Sequence, residues 1–450
     1  PNIYCMDDIS LEDDFIESVS KGDTLVQKNL KKIESIYSNA NVFGSLLDVT
    51  SIQDDELISL NSYLDKFLKQ DGDDLLSLLY KKKIEKEITP KVSCILALKQ
   101  NYDCVITNPP YLNSSLMPKE LKQFLNKNYK DCKSDIFASF IKKCIQFTDK
   151  DGYLGMITPY VWMFISSYEK LRNYVLKNVN ISSLIQLEYN AFEAACVPVA
   201  TFVFHNTKER YKGNYIKLSD FKGADNQAPK TIEAINNNRC SYYYETDQEN
   251  FSKIPGSPIA YWLSNQWYAI FEYGKPLGDF AYPKQGLATA DNNKYLRLWF
   301  EPKVSNILLN SNSRDQSLDS KLKWFPFCKG GSFRKWYGNR DYVINWKNNG
   351  IELIESKKAV IRNSEFYFVK GLSYSDVSSG SYSLRYYGFG FIFDSTGPMI
   401  FLNNYKVYTM IDVLSFLNSI VSSDILKLLC PTIHYTQSSV AKIPFLDFSI

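Results

Sequence analysis

The sequence predicts an α/β chain in two parts. A partial, Rossmann-like doubly wound domain covers residues 1–206, a linker covers 207–250, and a mixed, β-rich domain covers 251–450. Three observations lead there. Cys104-Val105-Ile106 is a short apolar, β-branched run that two prolines end abruptly, the pattern of a buried strand entering a rigid loop. Between residues 118 and 204, helical and strand periodicities alternate. Beyond residue 250 helical spacing becomes scarce, and aromatics and turn residues dominate. A length of 450 residues also exceeds what one core usually serves.

Composition narrows the class. Hydrophobic residues make 45% of the chain and charged residues 22%, as in folded soluble proteins. Aromatics reach 15%, which suits either large cores or surfaces that stack on planar ligands. The net charge of +3 is uneven: residues 1–200 hold 23 Lys and Arg against 27 acids, and residues 201–450 hold 29 against 22. The second half is therefore the better partner for a polyanion. Nine cysteines without a CxxC pair and only two histidines argue against a zinc site. Cys94, Cys104, Cys144 and Cys196 lie in apolar surroundings and read as reduced core thiols, so the expected compartment is the cytoplasm. No apolar run approaches the roughly 18 residues of a membrane span, so no membrane partner is expected.

Taken in order, Asn2 to Asp8 reads as a short strand followed by acids. Residues 23–41 and 53–70 have helical spacing, and Asp74 to Gln100 reads as a longer helix interrupted near Pro90. The acids Asp71, Asp73 and Asp74 suit a helix N-terminus. After the proline loop come helices at 118–128 and 134–147, the second capped by Ser134 or Asp135, with Ile136, Phe137, Phe140, Ile141, Cys144 and Ile145 in one stripe. Gly152–Pro159 is the next strand, 166–177 a helix, and Ile181–Leu187 and Val197–Phe204 two further strands joined without a helix. Asn206 to Asn250 is polar and reads as the linker. Near the end, Tyr405–Leu429 reads as one helix and Pro431–Phe445 as an extended return, with His434 as a packing residue.

The loop Asn108-Pro109-Pro110-Tyr111 carries the chemistry. In doubly wound sheets ligands bind beyond the carboxyl ends of strands, where Asn108 stands. A conjugated exocyclic amine has a poorly available lone pair, and a site helps by accepting both amine hydrogens. The Asn108 side-chain oxygen can accept one and the Pro109 carbonyl the other. Tyr111 offers a face on which a base can stack. A plain Pro-Pro turn would read the same way. These four residues resemble the catalytic motif of amino-methyltransferases that use S-adenosylmethionine, shared by N6-adenine DNA methyltransferases and release-factor glutamine methyltransferases. In that resemblance Asp7 and Asn108 meet the cofactor, Asp135 to Phe140 flanks the pocket, and Phe192 packs on a flipped base. A glycine-rich cofactor turn is missing: before Asn108 only the isolated Gly22, Gly44 and Gly72 occur. The expectation is a fragment lacking the N-terminal cofactor loop.

Three stretches stand out in the second half. Lys284–Arg297 offers amides and cations, among them Asn292, Asn293 and Arg297, that can read base edges. Lys321–Lys347 sets Lys329, Arg334, Lys335, Arg340 and three further lysines against one acid, Asp341, interleaved with Trp324, Phe333, Trp336, Tyr337 and other aromatics. Cations with aromatics suit nucleic acid, although a solvated hairpin over an aromatic core would look alike. Ser378–Gly390, with Ser381, Ser383 and Arg385 between glycines, suits a DNA-facing loop or a hairpin.

With Asn108-Pro-Pro-Tyr, the stretches Gly286–Tyr295, Lys329–Asn339 and Arg385–Asp394 resemble the PglX family, adenine-specific DNA methyltransferases of bacteriophage-exclusion (BREX) defence, over nearly the whole chain but only a central portion of that longer family. Ala290 departs from the family's usual glycine. The resemblance implies a partial class I methyltransferase domain followed by a target-recognition domain. It implies S-adenosylmethionine as cofactor and double-stranded DNA as substrate. As partners it implies the missing N-terminal part and other phage-exclusion proteins. A non-catalytic DNA-binding specificity module remains the alternative, and a protein glutamine methyltransferase a third.

Overall fold

Alternation of apolar strands with amphipathic helices produces a six-stranded mixed sheet in the computed structural model, which describes residues 3–70, 74–192, 197–377, 382–403, 408–430 and 434–446. The chain divides after Glu249 into two units. The first begins with helices α1 (Asp13–Ser20), α2 (Thr24–Tyr37), α3 (Ala40–Phe43), α4 (Asp54–Leu68), α5 (Leu75–Lys83) and α6 (Thr89–Lys99). Asp23 accepts the Leu25 and Val26 amide protons and so starts α2. Phe15, Leu30, Ile33, Leu57, Leu64, Ile84 and Val92 form the shared core of this helical layer. The interruption expected near Pro90 is a π turn at Ile84–Ile88, and Pro90 itself begins α6, where its missing N–H costs nothing. Asn2 to Asp8 forms no strand among the described residues; it lies as irregular backbone against the helices, with Tyr4 and Met6 packed on their core.

The sheet follows. β1 (Tyr102–Thr107) leads to α7 (Lys119–Asn128) and α8 (Ile136–Phe147), then β2 (Thr148–Pro159), α9 (Glu169–Asn178), β3 (Asn180–Gln186) and β4 (Val199–His205). The order is β1-β2-β4-β3, extended by β5 (Gly213–Lys217) and, after α10 (Ala224–Asn236), by β6 (Tyr243–Thr246). β1 pairs with β2 in parallel, and β4 inserts antiparallel between β2 and β3, the reversed hairpin expected from two strands in succession. Residues 207–250 are therefore not a linker: β5 runs parallel to β3 and β6 closes on β5. Their polar composition hid short strands whose apolar residues, Tyr215, Ile216 and Leu218, are few but buried.

The second unit holds α11 (Asn265–Tyr273), β7 (Lys275–Pro276), β8 (Ala281–Lys284), α12 (Asn292–Tyr295), β9 (Leu296–Leu298), α13 (Arg314–Asp319), β10 (Trp324–Cys328), β11 (Tyr342–Asn345), α14 (Lys347–Glu355), β12 (Gly371–Tyr374), β13 (Leu384–Tyr387), β14 (Ile392–Phe393), β15 (Met399–Leu402), α15 (Met410–Leu417), α16 (Ile420–Leu429), α17 (Gln437–Ala441) and β16 (Pro444–Phe445). Two four-stranded sheets, β14-β10-β11-β9 and β13-β12-β15-β8, bury an aromatic core of Phe325, Phe327, Trp346, Tyr367, Tyr387 and Phe393. The single helix expected at 405–429 is two, because the Asn418 side chain is used to pair with both backbone groups of Leu384 and Ser419 caps a new helix. The extended return expected at its end contains α17. Cys94 and Cys144 are buried as expected, Cys104 is exposed on β1, and Cys196, Asp71, Asp73, Ser381 and Pro431 lie outside the described residues. No helix is long and apolar enough to cross a membrane among the described residues.

Gly213 tests whether 207–250 is integral to the sheet. A Cβ there would fall 2.2 Å from the Ile181 carbonyl oxygen, closer than any contact allows. Gly213→Ala is expected to lower urea-unfolding stability by about 1–3 kcal/mol, as overpacking does. A linker glycine would tolerate the same change.

Candidate active site and nucleic-acid interface

β1 ends at Thr107, so Asn108 sits at the carboxyl end of a strand, and its side chain is exposed. Pro109 is buried and fixes the turn. The Tyr111 hydroxyl has one proton to donate; it lies 3.1 Å from Asn108 Oδ1 and 3.2 Å from the Ile157 carbonyl on β2. The loop is thereby tied across to the neighbouring strand. Asn108 Oδ1 keeps a second acceptor site for a ligand's N–H.

Asp135 fastens the far end of the loop. Its Oδ1 accepts the Leu112 amide at 3.0 Å and the Phe137 amide at 3.4 Å, so one carboxylate both closes the loop and caps α8. The Ile136 amide returns a bond to the Leu112 carbonyl at 3.1 Å. Phe137, buried, meets Tyr111 edge-on at 6.2 Å and Tyr168 at 5.7 Å. Thus Asp135 and Phe137 position the tyrosine. The periodicity of α8 showed them as cap and core, and Tyr168 carried no sequence signal.

Asp7 follows Met6, whose sulfur lies 3.6 Å from Cys94 Sγ, on a groove of about 590 Å³ lined also by Gln100, Tyr102 and Phe147. That groove lies at the start of β1, and Asn108 stands past its other end. Strand geometry separates the two by roughly 20 Å. Asp7 accepts the Cys5 thiol at 3.0 Å, and its neighbour Asp8 accepts the Asn41 amide at 3.0 Å. Phe192 is exposed beside residues outside the description. β1 also presents an open edge: Asp103, Cys104 and Ile106 are exposed, Ile106 by 79%, where a parallel strand is ordinarily covered.

In the second unit, the cations singled out by sequence divide into two groups. Arg334 is exposed, and Lys329, half-buried, lies 5.2 Å over the Tyr342 ring. Asn292 and Asn293 are exposed on α12. By contrast Arg297 donates to the Asn293 and Leu296 carbonyls at 2.6 Å, Lys335 to the Asn418 carbonyl at 2.6 Å, and Arg340 to the Tyr386 carbonyl at 2.7 Å. Arg385 corrects expectation most: it is completely buried in β13, donating to Ser383 and Ser375 hydroxyls, because alternation along the strand turns it inward. It cannot face DNA in this arrangement.

Two of the distinctive stretches, with the end of the third, line one pocket of about 260 Å³: Ala288, Thr289, Ala290 and Asn292, Lys329, and Asp394 to Thr396. The Thr289 hydroxyl donates to Asn292 Oδ1 at 2.6 Å, which leaves the Asn292 amide N–H groups outward. Buried Asp394 accepts the Thr396 amide at 2.7 Å and the Ser395 and Thr396 hydroxyls. Asp394 carries no sequence signal for this role. Ala290 sits at φ +59°, in the left-handed region where glycine is at ease, the residue usual at this place in the resembled family.

Burial pushes the Asp135 carboxyl above its ordinary value, against the backbone N–H groups that favour its charge. The native state then holds the proton to higher pH than the unfolded chain, so this group's contribution is full at low pH and declines as pH rises through the native value. Asp135→Asn keeps an acceptor without the charge and is expected to flatten that decline. Asp135→Ala leaves the loop amides unpaired and is expected to cost about 1–3 kcal/mol. Urea melts of both variants between pH 4 and 8 measure the difference.

Residues 24–192 match the Eco57I restriction-modification methylase family. The chain is 34% identical to the adenine-specific methyltransferase PglX of Lacticaseibacillus casei (strain Zhang), over 99% of this chain and 37% of that protein. It is 34% identical to the adenine-specific methyltransferase BrxX of Escherichia coli O9:H4 (strain HS), over 95% of this chain and 34% of that one. It thus spans about a third of these relatives' length. The Type IIL restriction-modification enzyme MmeI, solved in complex with DNA, aligns over 92% of this chain and 58% of its own at 12% identity and a TM-score of 0.44. On these matches the chain is similar over nearly its whole length to the adenine-specific methyltransferases PglX and BrxX, and residues 24–192 are similar to the Eco57I restriction-modification methylase family.

Proposed function

We propose that this chain is the adenine-holding and DNA-reading portion of an N6-adenine DNA methyltransferase of a phage-exclusion or restriction-modification system, of the reaction class EC 2.1.1.72. The observation that carries this is the Asn108 loop, open to solvent at a strand's carboxyl end and pinned by Tyr111 and Asp135. The target adenine leaves the duplex at a cost of roughly a few kcal/mol. Its N6 hydrogens are accepted by Asn108 Oδ1 and the Pro109 carbonyl, which returns lone-pair density to the nitrogen, and Tyr111 stacks on the ring. The second unit, Asn250–Ile450, acts as the target-recognition domain.

S-adenosylmethionine, implied by the relatives, supplies the methyl group when bound. Among the described residues before Asn108 no glycine-rich turn follows a strand: Gly22 and Gly44 sit at helix ends, so the cradle is not built there. The open edge of β1 supports the reading that further strands, carrying the cofactor loop, pair there in the working enzyme. Other phage-exclusion proteins are its proposed partners, and the cytoplasm its compartment.

Two outcomes are expected. The isolated 450-residue chain methylates DNA little or not at all in a tritiated-methyl assay. In cells carrying the intact gene, single-molecule sequencing shows N6-methyladenine in one sequence context, lost with Asn108→Ala. Methylation that survives Asn108→Ala would sink the catalytic assignment, and its absence from both strains would favour a non-catalytic specificity module.

A further inference from the structure

The segment between Gly330 and Arg340 is held in a conformation that its own residues disfavour. Trp336 adopts φ +73° and Asn339 φ +54°, flanking Gly338 at +132°. For a bulky residue such as tryptophan the left-handed region is strained by close approach of Cβ to the carbonyl oxygen. The strain is imposed from outside. The Trp336 amide donates to the Leu384 carbonyl at 2.8 Å and its carbonyl accepts the Tyr386 amide at 2.9 Å. The Ser375 hydroxyl donates to the Gly331 carbonyl at 2.8 Å, and the Tyr387 hydroxyl lies 2.7 Å from the Asn339 carbonyl. Lys335 reaches the Asn418 carbonyl.

This scaffold buries none of the rings it carries. Phe333 is 53% exposed, Trp336 51% and Tyr337 66%. Arg340 lies 4.1 Å over the Tyr337 ring, and Arg334, exposed, runs its stem across Gly338, where a Cβ would fall 2.5 Å from its Cδ. Strain spent to display exposed apolar rings among cations points away from core packing and toward a ligand. The ligand must be planar, apolar-faced and anionic at its margins, which describes stacked nucleobases on a phosphate backbone.

We propose that Phe333, Trp336 and Tyr337 form a rigid aromatic wedge that stacks on bases of the bound DNA, with Arg334 on an adjacent phosphate. The proposal rests on the reading of the second unit as a DNA-binding domain. Binding of the full chain to a fluorescein-labelled duplex, measured by anisotropy across a salt series, tests it. Trp336→Gly relieves the strained φ, so its melting temperature should equal or exceed the wild-type value, while affinity falls about 5- to 150-fold at unchanged salt slope, the loss of one stacked base. Trp336→Phe should recover most of the affinity. Arg334→Gln should instead reduce the salt slope by about one. If the wild-type chain fails to bind DNA at low salt, the DNA reading itself fails. If it binds and Trp336→Gly binds equally, or loses salt slope with affinity, the wedge is overturned. A lower melting temperature for Trp336→Gly overturns the strain argument, and Tyr337→Ser, at an unstrained exposed position, must then lose affinity alone for stacking to stand.

Discussion

The parallel pairing of β1 with β2 is the constraint on which the candidate site depends. It runs from Cys104 opposite Tyr153 to Thr107 opposite Met156 and so decides where β1 stops. At its entry Gly152 leaves no room for a side chain: a Cβ would fall 2.8 Å from the Asp103 carbonyl oxygen. At its exit the Tyr111 hydroxyl reaches across to Ile157. One register thus places Asn108 beyond the strand end and holds the loop to β2. A slip of one residue would reverse which faces of β1 meet the helices and would carry the asparagine away from its anchor. Asp135 adds the second anchor, and it does so with a carboxylate that burial disfavours, a sign that loop geometry outweighs local electrostatic comfort.

The second unit answers a different demand, the display of polar and aromatic groups on short strands. Its sheets have four, four and two strands among the described residues, and the strands have two to five residues, so pairing alone supplies little stability. Fully buried tyrosines and tryptophans supply the rest: Tyr367, Tyr374, Tyr382, Tyr387 and Trp346 are all in the interior. This separates the two explanations that an aromatic content of 15% left open. Most rings here are core, and those that are not, such as Trp336 and Tyr337, lie on loops built to show them.

How much could be read beforehand follows from which signals are local. The strand ending in Asn-Pro-Pro-Tyr, the stripe of α8 and the reversed hairpin of β3 and β4 were legible because each is an apolar pattern with a sharp boundary. β5 and β6 were not, since their burial comes from pairing with β3, distant in sequence, and not from their own composition. The break between α15 and α16 was hidden for the same reason: Asn418 is drawn away by Leu384, 34 residues distant. Site residues divide alike. Asn108 and Tyr111 are readable from a motif, whereas the packing of the segment around Asp7 on the helical core, through Tyr4 and Met6, is something no spacing encodes.

Charge shows the limit most clearly. A surplus of cations in residues 201–450 suggested many contacts to a polyanion. In the fold, Arg297, Lys335 and Arg340 already donate to backbone carbonyls, and Arg385 is wholly enclosed. An arginine so engaged still contributes to the long-range field that draws DNA in, but has fewer donors left to hold a phosphate. On the proposed reading the short-range contacts fall to groups that the fold leaves accessible, Lys329 and Arg334 beside Asn292 and the exposed rings. Net charge therefore overstates the ionic contacts that Arg297, Lys335, Arg340 and Arg385 can make, because their donors already hold the strands and loops around them.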